Sequence, residues 1–207
     1  MTEQDFSDYW IFKPFIENFS QEEKEDSFNT LYDYIKLCIH AKKTESIDKA
    51  IDLGLDINFK IHNTQFGLLR KAVMDGENKV VQYLCKHQID INTVDSKKET
   101  MLHSIVKNLS YFLEDYSKEE DEVKNRIDIL YTLFEYKINP LLKNEENNTA
   151  LNTIEQLEEE KENSLIINQD TLDTLRSLIK NPIKTYQQKY VLEKQQNTTN
   201  HRKNILL

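Results

Sequence analysis

The sequence predicts an all-α protein in which helix-turn-helix pairs stack into a solenoid with short hairpin loops. Three observations support this prediction. Only three Gly and three Pro occur among the 207 residues, too few for the turn-rich β-sandwiches and barrels. Apolar residues recur at spacings of three and four, as in one-sided helices. The motif Gly-Leu-Asp-Ile-Asn, which starts at Gly54, recurs as Gln-Ile-Asp-Ile-Asn from Gln88. This recurrence indicates a repeated structural unit.

The N-terminal segment, residues 1–30, is rich in aromatic residues and is expected to be helical. A terminal unit leaves one apolar face open, and a divergent segment has to cover it. We therefore expect these aromatics to form a cap, and the alternative is an exposed patch that anchors a partner. The aromatic residues concerned are Tyr9, Trp10, Phe12, Phe15 and Phe19.

Helix pairs follow over residues 31–180, and each pair has apolar residues on one side only. The first helices carry Ile35, Cys38, Ile39; Leu68, Leu69, Ala72, Val73; and Leu102, Ile105, Val106, Leu109. The second helices carry Ile47, Ala50, Ile51; Val80, Val81, Leu84, Cys85; Ile129, Leu130, Leu133, Phe134; and Leu172, Leu175, Leu178, Ile179. One pair cannot bury its apolar stripe alone, so the pairs are expected to share one core.

Several short sequence motifs occupy matching positions in successive helix pairs, and together they resemble the ankyrin-repeat family. The family opens each repeat with Thr-Pro-Leu-His, turns with Gly after the first helix, and closes with Gly-Ala-Asp-x-Asn. The matching residues are Thr100, Leu102, His103; Ala72, Gly76; Val80, Val81, Leu84; and Asp56, Asn58, Asp90, Asn92. The resemblance implies four divergent units at about 31–61, 62–94, 95–143 and 144–181, the last two with insertions. Residues 182–207 are expected to form a helical extension and a disordered basic tail.

Departures from the family pattern identify weak points of the array. Gln88 and Lys137 stand where the family prefers Gly, and a left-handed backbone there costs about 1 kcal/mol for a non-Gly residue. The family's His is kept once, at His103, where the resemblance implies a bond to the backbone of a neighbouring repeat. Thr100 and Thr149 are predicted to cap the first turns of their helices. Lys36, Arg70 and Asn152 replace the family's His in the other units.

The last two units contain insertions at 108–124 and 158–169. In the first, the opening helix is predicted to continue through residues 111–113, and the acidic run Ser117–Glu122 joins it to the next helix. Insertions of this kind often lie on the binding face of a repeat protein. The alternative is a lengthened helix pair with a solvated acidic turn.

The composition excludes several classes of function. The net charge of −9 disfavours nucleic-acid binding, which needs clustered Lys and Arg. The sequence contains no apolar run of about 18 residues, which a membrane-spanning helix would need. The acidic N-terminus does not resemble a Sec signal peptide. We expect a cytoplasmic protein, with secretion by another route left open. Cys38 and Cys85 occupy apolar helix positions and are expected to be reduced core thiols, with a disulfide or a metal pair as the alternative.

The sequence contains no catalytic motif. Three scattered Gly cannot form a phosphate-binding loop, and neither Cys-x-x-Cys nor His-Glu-x-x-His occurs. We therefore expect no enzyme activity, no metal and no cofactor. An enzyme or metal site within the insertions is the competing hypothesis, but those segments hold carboxylates and neither His nor Cys.

The resemblance implies binding through the hairpin tips and the concave face of the first helices. Phe66 is the sharpest candidate, because it is an aromatic residue at a tip position that stacking does not require. The candidate partner-binding residues are Asn63, Thr64, Phe66, Met74, Asp75, Ser96, Lys97, Glu99, Lys107, Asn108, Glu145, Glu146, Asn148 and Gln156.

These observations predict a monomeric protein–protein interaction module that binds a protein partner, with no nucleic acid and no membrane involved. One version is a small acidic immunity or inhibitor protein that masks a basic toxin, because acidic charge accelerates association with a basic surface. A second version is a bacterial effector that binds a host protein. A hypothesis from a different class is a structural repeat protein that self-assembles through its aromatic N-terminal segment.

Overall fold

The computed structural model describes residues 3–61, 66–112, 119–161 and 173–181. Within these ranges, it leaves out the side chains of residues 3–8, 66, 109–112, 119–123 and 160–161. The helices are α1 (Glu3–Ile16), α2 (Gln21–His40), α3 (Glu45–Asp52), α4 (Leu68–Met74), α5 (Asn78–Lys86), α6 (Met101–Phe112), α7 (Glu119–Glu135) and α8 (Ala150–Lys161). Residues 173–181 are also helical and are labelled α9. Strands β1 (Lys60–Ile61) and β2 (Phe66–Gly67) form a short antiparallel pair.

The predicted all-α stack of helix pairs is confirmed. Helices α2/α3 form unit 1, α4/α5 unit 2, α6/α7 unit 3 and α8/α9 unit 4. The first helices of units 2 to 4 form one row, since α4 packs against α6 and α6 against α8, while α5 packs against α7 in a second row. A single apolar cluster extends from Ile11 in α1 to Ile179 in α9, so the units pool their one-sided stripes into one core.

Helix α1 lies over the N-terminal end of the stack, against α2 and α3. Phe12 and Phe15 are buried, and each makes an edge-on ring contact, to Tyr34 and Phe59 respectively. Trp10 is 62% exposed. The aromatic residues therefore divide between core packing and free surface.

Helix α2 crosses the predicted boundary between residues 30 and 31, because it begins at Gln21. The reason is a capping box at Ser20, whose side chain accepts the Glu23 N–H while the Glu23 carboxylate accepts the Ser20 N–H. This reciprocal pair satisfies two backbone donors that would otherwise lack partners. The cap-forming segment and unit 1 are consequently continuous through one long helix.

The unit-closing turns have the left-handed backbone that the repeat pattern predicts. The φ angle is +105° at Gly54, +63° at Gln88 and +68° at Lys137. Two of the three units described here therefore place a side chain where the backbone favours Gly. Asp56 and Asp90 then accept the N–H two residues ahead, as expected of turn-forming Asp residues.

The insertion in unit 3 differs from its prediction in one respect. Helix α6 runs to Phe112, as expected, but α7 already begins at Glu119. Glu119–Glu122 thus belong to the first turn of α7 rather than to a connecting segment. Residues 113–118 and 162–172, which hold the rest of the two insertions, lie outside the described part of the chain, as does the predicted tail at 182–207.

Candidate functional site

The hairpin tip of unit 3 is a tight turn over Asp95–Glu99. The Asp95 Oδ1 atom accepts the backbone N–H of Lys97 at 2.9 Å and that of Glu99 at 2.8 Å. Lys98 has a φ of +58°, which closes the turn. Ser96, Lys97 and Lys98 are exposed. Backbone groups and the Asp95 carboxylate hold the turn. The exposed side chains of Ser96, Lys97 and Lys98 therefore have no packing role.

The tip of unit 4 repeats this design with Asn in place of Asp. The Asn144 Oδ1 atom accepts the N–H of Glu146 at 3.1 Å and that of Asn148 at 3.0 Å, and Asn147 has a φ of +64°. Glu145 and Glu146 are exposed. An amide oxygen and a carboxylate oxygen accept the same two N–H groups, which explains why either residue type builds the tip.

The two tips are joined through their backbones. The Glu145 N–H donates to the Lys97 carbonyl at 3.0 Å. Further from the tips, closing turns are tied in the same way. The Asn58 side chain accepts the Asp90 N–H, and the Asn92 side chain accepts the Asn139 N–H, each at 2.7 Å. Neighbouring units are therefore held in register at the tips and at the closing turns.

His103 ties unit 3 to unit 4, as the resemblance implied. Its Nδ1 accepts the Thr100 N–H at 3.2 Å, and its Nε2 lies 2.9 Å from the Asn148 carbonyl oxygen. A carbonyl oxygen only accepts and a backbone N–H only donates, so Nε2 carries the proton, Nδ1 carries none, and the ring is neutral. The side chain is fully buried, and this burial lowers the pKa of His103, although the Asn148 hydrogen bond opposes the shift.

Arg70 occupies the equivalent position of unit 2 and makes the equivalent bond. Its guanidinium donates to the Glu99 carbonyl and to the Ser104 hydroxyl, and lies 3.4 Å from an Asp95 carboxylate oxygen. Glu99 precedes the opening Thr100 of unit 3 just as Asn148 precedes the opening Thr149 of unit 4. Burial lowers the pKa of Arg70, while Asp95 and Glu99 oppose that shift.

The concave face of the first helices carries ion pairs and two exposed apolar side chains. Glu77 binds Lys36 at 2.6 Å and His40 at 2.8 Å, and Lys71 binds Asp75 at 2.9 Å. Partial burial would raise the pKa of Glu77, but the Lys36 and His40 hydrogen bonds outweigh it and lower that pKa. Leu37, which is 69% exposed, and Met74 are the exposed apolar residues here.

The candidate partner-binding residues fall into four groups. Exposed are Met74, Asp75, Ser96, Lys97, Glu145, Glu146 and Gln156. Half-buried are Lys107, Asn108 and Asn148. Glu99 is buried, at 9% exposure, and its carboxylate pairs with Lys107. Asn63, Thr64 and the side chain of Phe66 lie outside the described residues.

Two exposed residues of this surface escaped the sequence reasoning. Lys98 extends the tip of unit 3, and its neighbour Lys97 was the available signal. Leu37 stands at the position of unit 1 that Lys71 holds in unit 2, and an alignment of the two helices would have identified it. The stack therefore exposes more positions than the family pattern identifies.

Neither cysteine forms a disulfide, since Cys38 is a free half-buried thiol and Cys85 a free buried one. Burial raises the pKa of Cys85 to about 12, so this thiol is not a nucleophile at neutral pH. Among the residues that the structure describes, no three His, Cys, Asp or Glu side chains gather to bind a metal. No helix within the described ranges is both long and apolar enough to span a membrane.

Comparison with known proteins adds one structural likeness. No protein-family model matches the chain, and no curated protein is significantly similar to it. Among solved structures, the chain is similar to the ankyrin repeat domain of Bcl-3, a member of the IkappaB protein family, at 18% identity and a TM-score of 0.44. The match covers 69% of this chain and only 50% of that one.

The chain has an ankyrin-repeat-like fold. Its own geometry carries this conclusion: paired helices in two rows, left-handed closing turns, and tips stacked in register. The His103 bond from one unit to the next belongs to the same arrangement.

Proposed function

We propose that this protein is a non-enzymatic module that binds a protein partner through its hairpin tips and the neighbouring concave face. The observation behind the proposal is that different residues of the tips hold the turns and face solvent. Backbone groups and the Asp95 and Asn144 side chains hold the turns, while Ser96, Lys97 and Glu145 face solvent. Stacking does not constrain the identity of these outer side chains, so they are available for recognition.

The rigidity of the tips favours this role on physical grounds. A binding surface that is already ordered loses little conformational entropy when a partner docks. The Glu145–Lys97 backbone bond keeps two tips side by side, so their side chains form one continuous surface. Met74 and Leu37 add exposed apolar side chains on the first helices of units 2 and 1.

A pull-down with two matched variants tests the proposal. The tip variant combines Ser96→Ala, Lys97→Ala and Glu145→Ala. The control variant combines Gln82→Ala, Lys86→Ala and Glu135→Ala, which removes the same residue classes from exposed positions of the outer helices α5 and α7. Lysate from cells that naturally produce the protein is the source of prey, and mass spectrometry identifies what each variant captures.

The expected result is one dominant protein that the wild type and the control variant capture and the tip variant loses. We expect all three proteins to have equal melting temperatures, since no altered side chain is buried. Equal values are also needed to attribute a lost prey to the binding surface. A prey that all three capture equally would contradict binding through the tips. Loss of the prey in the control variant alone would move the binding surface to the outer helices.

The acidic net charge supports a more specific version of the proposal, in which the protein is an immunity or inhibitor protein for a basic toxin. A net charge of −9 accelerates encounter with a basic partner, and salt weakens this effect. We expect the captured prey to be basic and its association rate to fall as salt rises. A host protein as prey would instead support the effector version.

Self-association is the second candidate, and the exposure of Trp10 favours it. An exposed Trp is a common anchor of protein interfaces. Light scattering over a range of concentrations tests this candidate, with Trp10→Ser as the variant. A mass that rises with concentration in the wild type and stays monomeric in the variant would support it, whereas a monomeric wild type would exclude it.

A further inference from the structure

The concave face and the hairpin tips differ in whether their charged side chains form ion pairs. On the concave face, the described lysines pair within the fold: Lys36 with Glu77, Lys71 with Asp75 and Lys107 with Glu99. At the tips, four charged side chains are exposed and have no ion pair with any residue that the structure describes. These four are Lys97, Lys98, Glu145 and Glu146. Within the candidate surface, the tip charges are therefore the ones left for a partner.

The four unpaired charges form a patch of two signs, which we call the bipolar patch. The tip of unit 3 carries the two lysines and the tip of unit 4 the two glutamates. The Glu145 N–H donates to the Lys97 carbonyl, so the positive and negative halves are direct neighbours. The left-handed residues Lys98 and Asn147 hold both turns in one shape.

Leaving these charges unpaired has little effect on the stability of the stack. An exposed ion pair contributes about 0 to 1 kcal/mol within one chain, because water already solvates both groups. The same groups have a larger effect across an interface, where complementary charges fix register and like charges repel. The patch thus affects recognition more than folding.

We infer that the partner is a polypeptide segment that carries an acidic side chain and a basic side chain close together. The acidic side chain lies against Lys97 and Lys98, and the basic side chain against Glu145 and Glu146. Because the two tips are hydrogen-bonded neighbours, the partner's charges lie within about three residues of an extended segment, which spans roughly 10 Å. This inference rests on the proposed function and adds the chemistry of its partner.

The overall acidity of the protein does not predict this partner. A net charge of −9 attracts any basic surface over long range, without selecting an orientation. The four charges of the bipolar patch are balanced, with two groups of each sign, and therefore select the direction in which a segment lies. Lys143, whose ammonium group donates to the Asn147 side chain at 3.0 Å, flanks the tip of unit 4 and is not counted in the patch. Long-range attraction and short-range register are separate contributions.

Selection from a random-peptide phage library tests the inference, with three forms of the protein as bait. The first is the wild type. The swapped variant combines Lys97→Glu, Lys98→Glu, Glu145→Lys and Glu146→Lys, which leaves the net charge unchanged. The control variant combines Lys86→Glu with Glu135→Lys at exposed positions of α5 and α7, and also keeps the net charge.

The wild type and the control variant are expected to enrich peptides with an acid and a base within about three residues, in one order along the peptide. The swapped variant is expected to enrich the opposite order. A synthetic peptide of the most enriched sequence is expected to bind the Lys97→Glu/Lys98→Glu protein at least about tenfold more weakly than the wild type. Replacing the acid of that peptide by Lys is expected to restore the affinity.

Enriched peptides without a charge pair, or peptides that bind the wild type and the swapped variant equally, would overturn the inference. If the binding of such peptides falls in a Met74→Ala variant, the concave face is the binding surface and the proposed function survives. A library that yields no peptide overturns the inference as well. The pull-down then decides the proposed function separately.

Discussion

Two neighbouring boundaries of the stack make the same bond with different side chains. Arg70 reaches from unit 2 to the carbonyl before the opening of unit 3, and His103 reaches from unit 3 to the carbonyl before the opening of unit 4. Arg70 is charged and is accompanied by Asp95, while His103 is neutral. This position of the repeat therefore requires a donor that reaches across the boundary, and it tolerates two chemistries.

Because of this difference, the two boundaries respond differently to acid and to the loss of a charge partner. A buried guanidinium stays charged at any accessible pH and depends on its carboxylate neighbours. A buried imidazole depends on staying neutral, so proton concentration affects it. Boundary 2/3 is sensitive to loss of a charge partner, and boundary 3/4 is sensitive to acid.

The largest expected effect is at Arg70. Arg70→Met should lower the free energy of unfolding by about 3 kcal/mol, because it leaves the Asp95 carboxylate and the Glu99 carbonyl without their partner. Arg70→His should lose less, since it keeps a donor at this position. Urea unfolding measures both values, and equal losses in the two variants would show that the bond to the carbonyl is not the reason.

A smaller effect is expected from acid at His103. Burial lowers the pKa of this group in the folded chain, while in the unfolded chain it takes the ordinary value of 6.5. The unfolded state therefore binds the proton first as the pH falls. The stability that neutral His103 contributes is present above about pH 6.5 and is lost below it.

The measurement for this prediction is urea unfolding at pH 8 and at pH 5, for the wild type and for His103→Gln. Gln keeps an N–H donor but does not titrate, so the variant should lose about 1 kcal/mol at pH 8 and show a smaller further loss at pH 5. Glu77 has a lowered pKa, so its contribution is lost in a more acidic range. Parallel pH profiles of the two proteins would contradict the role of His103.

The smallest effect is expected at the unit ends, where unit 1 closes with Gly54 and units 2 and 3 close with Gln88 and Lys137. Gln88→Gly and Lys137→Gly should each raise the free energy of unfolding by about 0.5 kcal/mol, as relief of the left-handed strain exceeds the entropy that Gly adds to the unfolded chain. Gly54→Ala should lower it. Thermal melting ranks the three variants, and destabilisation by Gly at either site would disprove the strain argument.

Much of the fold was predictable because its signals are local. The spacing of Leu102, Ile105 and Val106 marks one face of α6, and all three are buried. Gln88 and Lys137 stand where the family prefers Gly, and both have the left-handed backbone that makes a non-Gly residue costly there. The bond from His103 followed from a short motif. The helix face and the turns depend on residues within one unit, whereas the His103 bond crosses to Asn148 in the next unit and followed only from the family resemblance.

The candidate site was less predictable, because exposure depends on neighbours from other units. Glu99 was expected at the surface, but it is buried beside Lys107. Arg70 looked like a replacement for the family's His, and nothing in the sequence indicated that it makes the same bond. Arg126 is a further example, since it reaches from α7 to the Val73 and Met74 carbonyls at the end of α4.

Local chemistry, readable from the order of residues, settles the helix pairs, the left-handed turns and the Asp and Asn side chains that close them. The stacking of the units settles which charges pair across unit boundaries. Lys36 and Glu77, or Arg70 and Asp95, are far apart in the chain and meet only across a unit boundary. An ion pair needs two groups within about 4 Å, and only the packed array brings them that close, leaving the tip charges exposed.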